Sequence, residues 1–117
     1  LRAGGLHMIV NTGKEALATT IASTYTKVKI GNGGDDTAAS QSALDSFGAE
    51  KTVTPSVIGS QLVWTATFTG ADIGTQGVSE LGIFDTSNTL LSRVTFTNTG
   101  VVASADTVTF TIRVEVD

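Results

Sequence analysis

The strictest constraint in this chain is an alternation of period two, written twice. In Gln61–Thr69 (QLVWTATFT), Leu62, Trp64, Ala66 and Phe68 fall on one side, and Val63, Thr65, Thr67 and Thr69 on the other. Residues 107–117 repeat the pattern without a fault: Val108, Phe110, Ile112, Val114 and Val116 against Thr107, Thr109, Thr111, Arg113, Glu115 and Asp117. Only an extended strand keeps such residues on separate faces, because successive side chains of a strand point opposite ways. One apolar and one Thr-rich face mean antiparallel sheets with a buried side and a wet or partner-facing side. Residues 24–30 (TYTKVKI) alternate in the same way, with Thr26, Val28 and Ile30 on one face.

The stretch that organises the rest is residues 78–97 (VSELGIFDTSNTLLSRVTFT). Two apolar runs flank Asp85, Thr86, Ser87 and Asn88, whose short polar side chains bond nearby backbone and suit a tight turn. If this hairpin closes across Thr86-Ser87, Glu80 and Arg93 come to lie opposite or diagonal to one another. An opposite-charge pair across strands fixes register.

The remaining segments are read from caps and breakers. Residues 8–10 form a short edge strand. Residues 12–22 form a short helix opened by a capping box of Thr12 and Glu15. Residues 40–47 (SQSALDSF) give one or two further helical turns ended by Gly48. Residues 51–58 resume as strand, with Pro55 at an edge or bulge. Gly59-Ser60 signals a two-residue hairpin, and residues 70–77 a glycine-bounded loop. Five or six strands at roughly 10-residue spacing indicate a sandwich. The expected fold is therefore all-β: an antiparallel, jelly-roll-like β-sandwich with one or two short helices near the N-terminus. Its core fillers are Trp64, Phe68, Phe84, Phe96 and Phe110. Residues 1–10 form an N-terminal arm and residues 11–117 a single domain; residues 1–7 lack the apolar centre of a signal peptide, and Met8 is an alternative start.

The chemistry available is narrow. With no cysteine and a single histidine, His7, in 117 residues, thiolate sites, histidine-rich metal sites and Ser-His triads have little to draw on. A net charge of −4 with seven scattered Lys and Arg argues against a nucleic-acid groove. No apolar run approaches the roughly 20 residues of a membrane span. Residues 31–36 (GNGGDD) could wrap a calcium ion with oxygens, but such glycine-acid runs are ordinarily turns. Asp35, Asp36, Asp45, Glu50, Asp72 and Asp85 lie in loops or turns as solvated acids, and Glu80 alone sits among apolar residues. Its expected role is structural, paired with Arg93 or backbone donors. Neither a catalytic residue, a cofactor nor a metal is expected. The Thr-rich faces are either wet or flat surfaces for neighbouring subunits.

Taken in order, Ile30-Gly31-Asn32-Gly33, Ala43-Leu44, Val63-Trp64-Thr65-Ala66-Thr67-Phe68, Ser79-Glu80-Leu81-Gly82-Ile83-Phe84-Asp85, Leu90-Leu91-Ser92-Arg93-Val94 and Val108-Thr109-Phe110-Thr111-Ile112 resemble the small β domains of tailed-bacteriophage particles. Such domains occur in tail-fibre, tail-collar and baseplate-associated proteins. The resemblance implies a non-enzymatic structural protein of the virion, in the tail fibre or baseplate or as a capsid decoration. Other virion proteins and further copies of the chain would be its partners, with neither nucleic acid nor membrane. Glu80, Gly82, Phe84 and Arg93 carry over as scaffold positions, joined by Trp64 from the alternating strand. The alternative from a different class is a carbohydrate-binding or adhesin module using Trp64, Tyr25 and the 31–36 loop, with a host glycan as partner.

Overall fold

A computed structural model describes residues 8–34 and 40–117. Helix α1 (Asn11–Thr24) leads into strands β1 (Lys27–Gly31), β2 (Phe47–Thr52), β3 (Ser56–Ile58) and β4 (Gln61–Thr69). A short helix α2 (Gly70–Ile73) and a 3-10 turn (Gly74–Gln76) precede β5 (Glu80–Phe84), β6 (Leu90–Thr95) and β7 (Thr107–Glu115). The strands form two antiparallel sheets, ordered β2-β1-β5-β6 and β3-β4-β7. The fold is the expected all-β sandwich.

The two alternating segments become the same hydrogen-bonded pair. Strands β4 and β7 run antiparallel through nine uninterrupted partners, from Gln61↔Glu115 to Thr69↔Thr107. Leu62, Trp64, Ala66 and Phe68 turn inward against Val28 and Ile30 of β1 and Leu81 and Ile83 of β5, forming one core. Helix α1 closes one end of that core with Ala18 and Ala22, small residues four apart that let the helix approach closely. Phe110 completes an aromatic file, its ring centroid 6.1 Å from Phe68 and 5.8 Å from Phe96. Of the predicted fillers, Trp64 and Phe68 are buried in the core, and Phe96 and Phe110 pack against it half-exposed. Phe84 is buried on the other face of its sheet, beneath the Lys29 ammonium, which lies 4.5 Å from its ring centroid.

Several local expectations are corrected. The 12–22 helix forms and runs longer, but Val10 occupies its N-cap position with no side-chain cap, so the Thr12–Glu15 box is not made. Such a box is made at α2 instead, where Thr69 and Asp72 exchange bonds of 3.0 and 3.1 Å and turn the expected loop into helix. Residues 8–10 are not strand, and Thr24 ends α1 rather than starting β1. Residues 40–46 are irregular, not helical, and Phe47 opens β2. The expected strand across residues 51–58 is two strands in different sheets. The chain crosses over at Val53-Thr54-Pro55, where Pro55 is buried and needs no ladder partner for its missing N–H.

Candidate functional site

The buried charges of the described residues gather at one place. Glu80 starts β5 and Arg93 lies on β6, and both side chains are fully buried. They lie on the face of their sheet that looks away from the core, beneath the segments 31–34 and 40–46. The hairpin joining them closes at Asp85 and Thr89 around Thr86, Ser87 and Asn88, with Asn88 at φ 64°. The Asp85 carboxylate accepts from the N–H of Ser87 at 2.9 Å and of Thr89 at 2.8 Å, which fixes this three-residue loop. The longer loop and a bulge at Ile83/Phe84 set Arg93 opposite Gly82, not opposite Glu80. The acid and base are thus diagonal neighbours, one of the two placements expected.

Each Glu80 oxygen accepts two hydrogen bonds. Oε1 accepts from the Asp45 N–H and Arg93 Nε, both at 2.9 Å. Oε2 accepts from the Gly33 N–H and the Ser46 N–H, both at 2.7 Å. Arg93 uses its remaining nitrogens on Gln41 Oε1 and Asp45 Oδ2, each at 3.0 Å, and Ser79 Oγ donates to the Gly33 carbonyl at 2.6 Å. Together these bonds clip the segments 31–34 and 40–46 onto the sheet. Among the described residues no buried side-chain nitrogen or oxygen lacks a partner. The failure of the 40–47 helix follows: the carboxylate claims the amides of Asp45 and Ser46, and the guanidinium claims Gln41 and Asp45. A buried charge outweighs local propensity.

The glycines of the Gly31-Asn32-Gly33 run serve this clip. A Cβ on Gly31 would lie 2.8 Å from Glu80 Oε2 and run into the Ser46 carbonyl, and one on Gly33 would reach the Glu80 carboxylate and sit 2.6 Å from the Asp45 Cβ. Gly82 is closed in by Phe84, Leu44 and Leu90, with the nearest ring carbon 2.8 Å from a hypothetical Cβ. Gly33→Ala is expected to destabilise the fold by about 1–3 kcal/mol, as overpacking of a tight site does. A urea titration reads this directly.

Burial by itself would raise the Glu80 carboxyl. The N–H groups of Asp45 and Ser46, the Arg93 guanidinium and the Gly33 N–H outweigh it and hold the group below its ordinary value of 4.5. Asp72 is also held below its ordinary value, first by the backbone and then by the hydroxyl of Thr69. A depressed folded-state pKa stabilises the fold above the unfolded value, and that stability is lost as pH falls through the folded one. The urea midpoint should therefore be flat with respect to these groups above about pH 4.5 and fall steadily below it. Glu80→Gln should flatten that fall.

Among the described residues no other arrangement brings chemistry together. Glu15 and Glu115 line an open polar cleft of about 440 Å³ between the start of α1 and the β3–β4 turn, both solvated. No group of three or more His, Asp or Glu among the described residues is placed to hold a metal. His7, Asp35 and Asp36, with the acidic half of the 31–36 loop, lie outside the described residues. Trp64 is wholly buried and its Nε1 donates to the Tyr25 carbonyl at 2.9 Å, so its indole offers no face to a sugar. No described helix is long and apolar enough to cross a membrane.

Sequence reasoning missed the second notable feature, an open seam between the sheets. Along one side of the sandwich the edge strands β6 and β7 do not close on each other. An apolar groove of about 320 Å³ runs there, lined by Leu81, Val94, Phe96, Phe110 and Ile112 with Thr99 and Thr111. Val94 pairs with buried Leu81 and so faces inward, yet it is 43% exposed. The flawless alternation of β7 marks its inner face as apolar but carries no information on how far the opposite sheet extends. In comparisons with known proteins, no family model and no curated protein matches the chain.

Proposed function

We propose that this protein is a non-enzymatic structural subunit of a bacteriophage-like particle, at the tail fibre, the baseplate or the capsid surface, acting by docking to its neighbours. The observation that carries the reading is the division of labour between inside and outside. Of the scaffold positions the resemblance carries over, Glu80 and Arg93 are occupied in holding the 31–34 and 40–46 segments to one sheet, and Gly82 is packed closely by Phe84, Leu44 and Leu90. What the molecule presents outward is Thr-rich strand faces, such as Thr65 and Thr67 beside Thr109 and Thr111, and unpaired strand edges. Thr suits a flat, uncharged contact surface, and a free edge is a ready template for another chain. The carbohydrate-binding alternative is weakened because Trp64, its main stacking residue, is enclosed.

Mass spectrometry of gradient-purified particles from cells carrying the gene tests the proposal. Several copies per particle are expected. Particles that form normally without the gene, with the protein confined to the soluble fraction, would overturn it.

A further inference from the structure

The two sheets have four edge strands, and three of them are guarded. Strand β2 carries exposed Glu50 and Lys51, and its pairing is broken by a bulge at Ile30/Gly31. Strand β3 is three residues long. Strand β6 pairs through the irregularity at Ile83/Phe84, which shifts its register. Short edges, charges and bulges are the usual devices that keep an edge from recruiting another strand. Strand β7 is the least guarded: it is long and free of bulges, and its charges, Arg113 and Glu115, both lie toward its C-terminal end. It runs nine residues without Pro, Gly, Lys or bulge, is bonded on one flank to β4, and borders the apolar groove.

We infer that the free edge of β7 is a homodimer interface, in which a second copy of this chain pairs its own β7 antiparallel across a two-fold axis at Thr111. The occupant follows from the strand's self-complementarity. With Thr111 facing Thr111 of the copy, Phe110 meets Ile112 and Val108 meets Val114, so the four half-buried inner residues pair among themselves. On the outer face Thr109 meets Arg113 and Thr107 meets Glu115. All nine residues are used, and no two like charges stand opposite. Aromatic and β-branched cross-strand pairs are favourable, whereas like charges directly opposite are not. A two-fold axis makes one patch serve both partners. It would join the two three-stranded sheets into one of six strands and set the copy's seam against the groove of Val94, Phe96, Phe110 and Ile112. The inference deepens the docking role proposed above by naming one partner and one surface.

Sedimentation velocity of the purified chain from about 1 μM to 1 mM tests it, across the usual span of weak to moderate association. The expected result is a concentration-dependent species of twice the 12.0 kDa chain mass. Thr111→Lys sets two ammonium groups across the axis and should weaken the dimer roughly fivefold or more. Thr65→Lys, on the same exposed face but on the interior strand β4, should leave it unchanged. Both positions are exposed, and equal urea midpoints would establish that the variants fold; Thr109→Lys is the second edge variant should Thr111→Lys not. A monomer at every concentration, a dimer indifferent to both edge lysines, or a dimer equally sensitive to Thr65→Lys would each overturn the inference. A chain that is monomeric in solution yet abundant in particles would separate this failure from that of the particle proposal.

Discussion

Glu80→Ala is expected to destabilise the protein by about 3–5 kcal/mol, the usual result of removing one partner from a buried ion pair. The reason lies in what remains. The Arg93 side chain stays enclosed with its Nε no longer bonded to a carboxylate, and the amides of Gly33, Asp45 and Ser46 lose their common acceptor. At a urea slope of roughly 1–3 kcal/mol/M the midpoint should fall by at least about 1 M. Arg93→Met should cost less, since Glu80 keeps three backbone donors and the methionine restores part of the apolar volume. The double variant Glu80→Ala/Arg93→Met should be less unstable than the sum of the singles, because the Glu80–Arg93 bond is lost in each single and can be lost only once. Strict additivity would show that the two side chains do not act as a unit.

The second large effect is at Trp64. Trp64→Ala is expected to cost about 3–5 kcal/mol through the cavity it leaves, and it also strands the Tyr25 carbonyl that accepts the indole N–H. Trp64→Phe keeps most of the apolar contact and loses that bond, so its cost should be near the 0.5–1.5 kcal/mol typical of one hydrogen bond plus a small packing defect. As the only tryptophan in the chain, Trp64 also reports on folding. Its emission should be blue-shifted in the native protein and move red in one step with urea. A native emission already at the wavelength of a solvated indole would contradict its burial between the sheets.

Much of the core was legible because a strand has a period of two. Leu62, Trp64, Ala66 and Phe68 could all be assigned to one face from spacing alone, and the structure buries all four. The 78–97 hairpin was legible for a related reason: turn chemistry at Asp85 and Asn88 is local, and one acid and one base amid apolar residues have little else to pair with. Other elements misled. The 40–47 segment carries helical spacing in Ala43, Leu44 and Phe47, yet its amides are claimed by a carboxylate 35 residues away in sequence. The glycine-acid run reads as an ordinary turn, and spacing gives no sign that Gly31 and Gly33 make room for Glu80. Thr12 and Glu15 had the spacing of a cap that the helix does not use, and Thr69 and Asp72 had the same chemistry in a stretch read as loop.

By itself, then, the sequence determined which residues of β4 and β7 face inward, that the fold is β, and that Glu80 and Arg93 are neighbours across one hairpin. Alternation, turn chemistry and charge scarcity are all properties of neighbours along the chain. Only the tertiary structure decided which strands share a sheet, that Glu80 holds a distant loop by its backbone, and that β6 and β7 leave a seam open between them. Those outcomes depend on how far each sheet extends and on contacts between residues tens of positions apart, where burial and unpaired charge outweigh any local preference.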